Sequence, residues 1–88
     1  MFLHLGGSII VPIKDIIAII DISSKKSKII QEFLKIAAEE DFIEKTSDDP
    51  SKTIVIAETN KKSKVFLSPI SSATLYKRTG FIEEISNV

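Results

Sequence analysis

Cysteine is absent from this 88-residue sequence. No disulfide framework and no thiol nucleophile are available, which fits a reducing compartment. Histidine occurs once, as His4. A lone imidazole with no HxxxH or cysteine spacing does not build a metal site, and a partly buried structural role is its ordinary use. Glycine is scarce, and none of it falls in a GxGxxG, GxxxxGK[ST] or GxSxG pattern. The longest apolar run, Ile16 to Ile20, is far too short to span a bilayer. The opening MFLHLGG has neither a positive n-region nor a long apolar h-region, so no signal peptide is expected. Acids are plentiful, but Glu39, Glu40, Asp41, Glu44, Asp48 and Asp49 crowd a helix end and a loop, where a solvated face is their plain use. No catalytic constellation, cofactor motif or small-molecule site emerges. The expectation is a soluble, cytoplasmic protein that is not an enzyme and needs no cofactor or metal.

What is present is aliphatic surface and patterned charge. The length suits a single domain, residues 1–88, with 81–88 as a loose C-terminal tail. A core of this size is thin. Yet 43% of the residues are hydrophobic, more than one small protomer hides easily, which points to a homo-oligomer. The formal net charge is zero, but it is unevenly spread. Two basic segments, residues 23–37 and 61–80, flank an acidic one at 38–60. Local charge governs how a partner approaches more than the total does.

The stretch Val65 to Gly80 organises the chain. Val65-Phe66-Leu67 reads as a buried strand ended by Ser68-Pro69, since proline has no amide proton and biases its predecessor toward extended backbone. Ser71 or Ser72 caps a short helix, about Ala73 to Thr79. Lys77 and Arg78 fall in its last turn, where the macrodipole favours cations. Gly80 is placed as a left-handed C-cap, with Phe81 supplying its apolar contact. Upstream, Phe2–Leu5 and Ser8–Val11 read as a β-hairpin about Gly6-Gly7. That turn sets Leu3 opposite Ile10 and Leu5 opposite Ser8, with Phe2, His4, Ile9 and Val11 on the other face. Both faces are then largely apolar, so the hairpin needs cover on both sides. Ile16 to Asp21 reads as a strand by its isoleucine density. A long helix over about Lys25 to Phe42, capped by Ser24 or Ser27, carries the stripe Ile29, Ile30, Phe33, Leu34 and Ala37. Thr53–Glu58 and Lys64–Ser68 read as strands joined by Thr59 to Ser63. The predicted fold is α+β: a small, mainly antiparallel sheet of about five strands with one long and one short helix, in the order β-β-β-α-β-β-α.

The basic residues form three clusters. Lys25, Lys26 and Lys28 open the long helix, where free N–H groups and added ammonium ions favour an anion. Lys61, Lys62 and Lys64 crown a turn, and Lys77 and Arg78 end the last helix. Sharing one face, they would track phosphates; pointing apart, they would be ordinary surface charge.

The residues also carry a resemblance. FLHLGG at the start, DIIAIID, EFL on the long helix and above all VFLSPISSATLYKR resemble the RemB branch of the RemA/RemB extracellular-matrix regulators, from Phe2 to Arg78. The LSPISS-x-TL-x-KR block is its specific part. The resemblance implies a small cytoplasmic bacterial regulator of biofilm-matrix gene expression. The RemA branch binds DNA as a self-associated protein, without cofactor or catalysis. In that branch arginines precede the strand corresponding to Thr53–Glu58 and belong to the DNA-binding surface. Here Asp48-Asp49-Pro50 stand in their place, and Asp15 stands where RemA has another basic residue. The Glu58–Lys64 turn reads as longer and more basic than is usual in RemB relatives. Two functions are therefore expected as alternatives. The first is an oligomeric regulator contacting mainly the DNA backbone, with Lys25, Lys26, Lys28, Lys61, Lys62, Lys64, Lys77 and Arg78 as its contacts. The second is a protein-interaction module that regulates matrix genes through a partner and touches no DNA.

Overall fold

The computed structural model describes residues 1–22 and 28–80. The strands are β1 (Phe2–Gly6), β2 (Ile9–Pro12), β3 (Ile16–Asp21), β4 (Ile43–Lys45), β5 (Thr53–Thr59) and β6 (Lys62–Ser68). The helices are α1 (Lys28–Glu39) and α2 (Ser72–Thr79), and a single 3-10 turn covers Ile13–Asp15. The class is α+β, as expected. The strands divide, however, between a two-stranded hairpin, β1-β2, and a four-stranded sheet ordered β3-β5-β6-β4. The expected single five-stranded sheet does not form.

Three corrections have local causes. The hairpin turns at Gly7-Ser8 rather than at Gly6-Gly7. Leu3 pairs with Val11 and His4 with Ile10, and Leu5 is bulged out of the ladder before Gly6 meets Ile9. A one-residue slip reverses every face. Leu3, Leu5 and Val11 consequently point inward and are buried, whereas Phe2, His4 and Ile10 point outward and are exposed. Second, the long helix ends at Glu39, not Phe42. Asp41 turns left-handed at φ 61°, and Ile43–Lys45 then joins β6 as a short parallel strand that periodicity does not reveal. Third, the β5–β6 ladder runs on to Thr59 and Lys62, leaving only Asn60-Lys61 as the loop. Their φ values of 53° and 65° are those of a type I′ turn, whose twist suits a two-residue hairpin. The predicted caps Ser24 and Ser27, and the segment that holds Lys25 and Lys26, lie outside the described residues, as does Phe81.

Other expectations hold. Ile16–Asp21 is a strand, antiparallel to β5. Ser71 caps α2 by accepting from the Thr74 amide at 3.2 Å, and Gly80 closes it at φ 83°. Side chains alternate across the four-stranded sheet. Val55, Ala57, Phe66 and Ile19 pack under the hairpin and α2 with Leu3, Leu5, Val11 and Leu75. Ile54 and Val65 pack on the other face against Ala37, Ile30 and Leu34 of α1. The sheet is thus the middle of three layers.

The layers are joined by a polar clasp built from the Val65–Gly80 stretch. The bulged Leu5 has no ladder partner, and its buried carbonyl accepts instead from Thr46 Oγ1 at 3.1 Å and from Ser68 Oγ. The Ser68 hydroxyl in turn accepts from the Ile70 amide at 3.1 Å. Thr53 Oγ1 donates to the Ile70 carbonyl at 2.7 Å, and the Tyr76 hydroxyl donates to the Ile19 carbonyl at 2.8 Å. Among the described residues no buried side-chain polar atom lacks a partner. A Cβ on Gly7, whose φ is +53°, would collide with the Thr46 carbonyl oxygen. The Gly-Gly pair is therefore where the hairpin closes onto Thr46. It is no phosphate loop.

Candidate nucleic-acid interface

The basic residues fall at separate places. Lys61 occupies the loop between β5 and β6, and Lys62 begins β6. Both are exposed. Lys62 and Lys64 alternate with Phe66 along β6 and rim a cleft of about 340 Å³ whose floor is Val11, Ala57 and Phe66. They belong to the hairpin face of the sheet. Lys64 is partly neutralised, because its Nζ lies 3.1 Å from Glu44 Oε1 on β4. This is the one ion pair found among the described residues, and its exposure keeps its contribution small.

Lys28 begins α1, which packs the opposite face of the sheet. In one protomer it therefore does not share a face with Lys62 and Lys64. Lys77 and Arg78 are exposed in the last turn of α2. That helix starts from the Ser68 end of β6, away from the Asn60-Lys61 loop. Lys25 and Lys26 lie outside the described residues.

One cation of this surface has no signal in the sequence. Lys14 is exposed on the 3-10 turn. The next residue, Asp15, accepts from Thr59 Oγ1 at 2.9 Å, which pins that turn beside the end of β5. Lys14, Lys61 and Lys62 are thus carried at the same end of the sheet, and none of them forms an ion pair among the described residues. Spacing along the chain does not hint at this, because only the antiparallel pairing of β3 with β5 brings Lys14 and Lys61 to one end. Asp48 and Asp49 are exposed in the loop before β5. A surface built there would be acidic.

The rest of the surface offers little chemistry. His4 Nε2 lies 2.8 Å from the Gly7 carbonyl on the exposed face of the hairpin, a contact that stitches the turn. Among the described residues no three His, Cys, Asp or Glu side chains gather as a metal site. No described helix is long and apolar enough to cross a membrane.

Comparison with known proteins matches residues 2–79 to the RemA-like family model, described as extracellular matrix regulatory protein A-like. The chain is 34% identical over 87 residues to extracellular matrix regulatory protein B of Bacillus subtilis (strain 168), covering 99% of this chain and all of that protein. The Leu5–Thr46–Ser68 clasp and the capped α2 thus lie within a match that runs almost end to end. The chain belongs to the RemA-like family of extracellular matrix regulatory proteins.

Proposed function

We propose that this member of a matrix-regulator family acts in the cytoplasm, without catalysis or cofactor, by binding the DNA backbone as a homo-oligomer. The observation that carries the reading is the Asn60-Lys61 hairpin end, where Lys61, Lys62 and Lys14 are exposed and unbridged among the described residues. A rigid two-residue turn holds its cations at little entropic cost, and a protomer of zero net charge gains phosphate affinity only where such points repeat around an assembly. Each neutralised phosphate then adds a counterion-release contribution. With no recognition helix docked in a groove, contacts would be mainly to the backbone, and preference would come from shape or spacing. Lys64, beside Lys62 on β6, and Lys28, Lys77 and Arg78 on the two helices are further candidates, as are Lys25 and Lys26, which lie outside the described residues.

The test is a DNA titration across a range of salt, with solution mass measured on the same samples. Lys61→Gln with Lys62→Gln should weaken binding about equally for all DNA sequences. The salt slope should fall by about one for each phosphate that is no longer neutralised. Lys25→Gln, Lys26→Gln and Lys28→Gln together should do the same if the start of α1 faces DNA. Unchanged affinity and slope in both sets would refute backbone binding through these residues. The second reading, a protein-interaction module, is favoured by Asp48 and Asp49 before β5 and by the apolar outer face of α1. It predicts no DNA binding by the parent protein at low salt.

A further inference from the structure

Helix α1 carries more apolar surface than its own protomer uses. Ile30, Leu34 and Ala37 face the sheet. Ile29, Phe33 and Ile36 fall within about 60° of arc on the adjoining side and stand 80%, 38% and 60% exposed. Phe42, just beyond the helix, is 45% exposed and lines the same groove as Phe33 and Ile36, above Ile56 and Val65. An aromatic side chain covers about 150–250 Å², so these four leave on the order of 400 Å² of contiguous apolar surface in water, the scale at which patches are commonly functional. This is roughly half of the ~800 Å² each partner contributes to a standard interface.

The flank of the stripe identifies what covers it. Lys28, Glu32, Lys35 and Glu39 form one ridge with the charges alternating. Such a ridge is its own complement when reversed. Set antiparallel to a second copy, Lys28 meets Glu39 and Glu32 meets Lys35. In that register Phe33 lies one residue from Phe33 of the copy and Ile29 two residues, about 3 Å along the axis, from Ile36, an offset that the long charged side chains can span. Pairing within the helix does not account for the pattern. In 28/32 and 35/39 the lysine precedes the glutamate, the weaker orientation for an i,i+4 pair; only Glu32 and Lys35, at i,i+3, stand in the favourable order, and no ion pair joins any of the four among the described residues. A protomer of zero net charge also meets its copy without long-range repulsion.

We propose that α1 is a homotypic interface: two copies pack their Ile29–Phe33–Ile36 stripes antiparallel about a two-fold axis, with the Lys28–Glu39 and Glu32–Lys35 pairs setting the register. Such an isologous contact uses every residue twice. The interface deepens the oligomeric part of the proposed function, but its test reads mass without DNA, so the two can fail separately.

The experiment is analytical ultracentrifugation of the full chain and its variants from about 1 to 100 μM. Ile36→Asp replaces an exposed side chain and should leave the fold intact by circular dichroism. It should weaken this association roughly 100-fold, taking about tenfold for each of two symmetric copies. Glu32→Lys and Lys35→Glu each create two like-charge contacts and should each weaken it alone. Mixing these two variants restores both opposite-charge pairs, so the mixture should associate like the parent and form mixed dimers. A protomer-sized parent at 100 μM would overturn the interface and leave the groove to another protein or to the chain's own residues 81–88. An Ile36→Asp variant that associates like the parent would overturn it too. Failure of the mixed charge variants to recover would refute the antiparallel register. If DNA binding persists in a variant that no longer associates, the DNA reading stands without this interface.

Discussion

The Leu5 carbonyl is the point on which three chain segments meet, and a double-mutant cycle measures what that is worth. Leu5 is fully buried, sits outside the β1–β2 ladder, and takes its two hydrogen bonds from Thr46 Oγ1 and Ser68 Oγ. Thr46→Val keeps the shape and leaves Ser68 donating, and the Leu67 carbonyl, which shares the Thr46 hydroxyl at 3.1 Å, keeps the Thr46 amide as a donor. It should cost about 1 kcal/mol, the net worth of an ordinary hydrogen bond. Ser68→Ala leaves Thr46 donating but also strips the Ile70 amide of its acceptor, so about 1–2 kcal/mol is expected. The double variant is different in kind. It alone leaves a buried carbonyl with no donor, and the full desolvation penalty of about 1–3 kcal/mol then falls due. The pair should therefore be more destabilised than the sum of the singles by about 1 kcal/mol or more, against a total stability on the order of 5–15 kcal/mol. Urea unfolding followed by circular dichroism supplies the cycle, at one protomer concentration so that self-association weighs equally on each variant. Singles that add to within about 0.5 kcal/mol, the behaviour of independent sites, would refute the shared-acceptor reasoning.

Two further stability predictions follow from the same geometry. Gly7→Ala meets both a left-handed backbone and the Thr46 carbonyl oxygen, whereas Gly80→Ala at φ +83° has nothing within 4 Å of its new Cβ. Gly80→Ala should thus cost only the conformational penalty of about 1–2 kcal/mol, and Gly7→Ala clearly more; equal melting temperatures for the two would contradict the close approach. Tyr76→Phe removes the 2.8 Å bond from α2 to the Ile19 carbonyl, and about 1 kcal/mol should lower the melting midpoint by roughly 4–8 °C in a domain of this size. A midpoint within about 1 °C of the parent, far below that shift, would mean that water replaces the bond at no cost.

Legibility in the sequence follows the range of the forces involved. Ser71 and Gly80 announce α2 because capping is local chemistry, and Ile16–Asp21 is a strand because six residues dense in isoleucine suit a pleated, half-buried surface. The hairpin register is not legible, because Gly6-Gly7 satisfies the local rule for a turn equally well one residue earlier. What moves the turn is Thr46, far along the chain, whose hydroxyl claims the Leu5 carbonyl and whose own carbonyl leaves no room beyond a glycine. Strand β4 is hidden for the same reason. Ile43–Lys45 has no pattern of its own and is a strand only because the Val65 amide donates to the Phe42 carbonyl and starts the parallel ladder. On the candidate surface, Lys61 and Lys62 are legible as a turn, but Lys14 reaches that end of the molecule only through the β3–β5 pairing. Periodicity also merges the helix stripe into one face, although Ile29 and Phe33 point to solvent while Ile30 and Leu34 do not.

The split between architecture and surface also limits what the resemblance itself carries. The LSPISS block is the most specific stretch of this sequence, and its side chains are spent inside the protomer. Ser68 holds the Leu5 carbonyl, and Ser71 caps α2. Membership of the family therefore speaks first to how the chain folds. Function has to be carried by what those residues leave outside, and among the described residues three such surfaces bear on assembly and phosphate contact: the Lys61-Lys62 end with Lys14, the outer stripe of α1, and the exposed Phe2–Ile10 face of the hairpin. The first is polar and charged, suited to a partner held by salt-sensitive contacts. The other two are apolar, and water alone does not keep two such faces open on a chain of this length without favouring association. A regulator assembled through its apolar faces would repeat its cationic ends at fixed intervals. Under the proposed DNA-binding function, the spacing of those ends, more than the charge of any one protomer, would then decide which DNA shapes it follows.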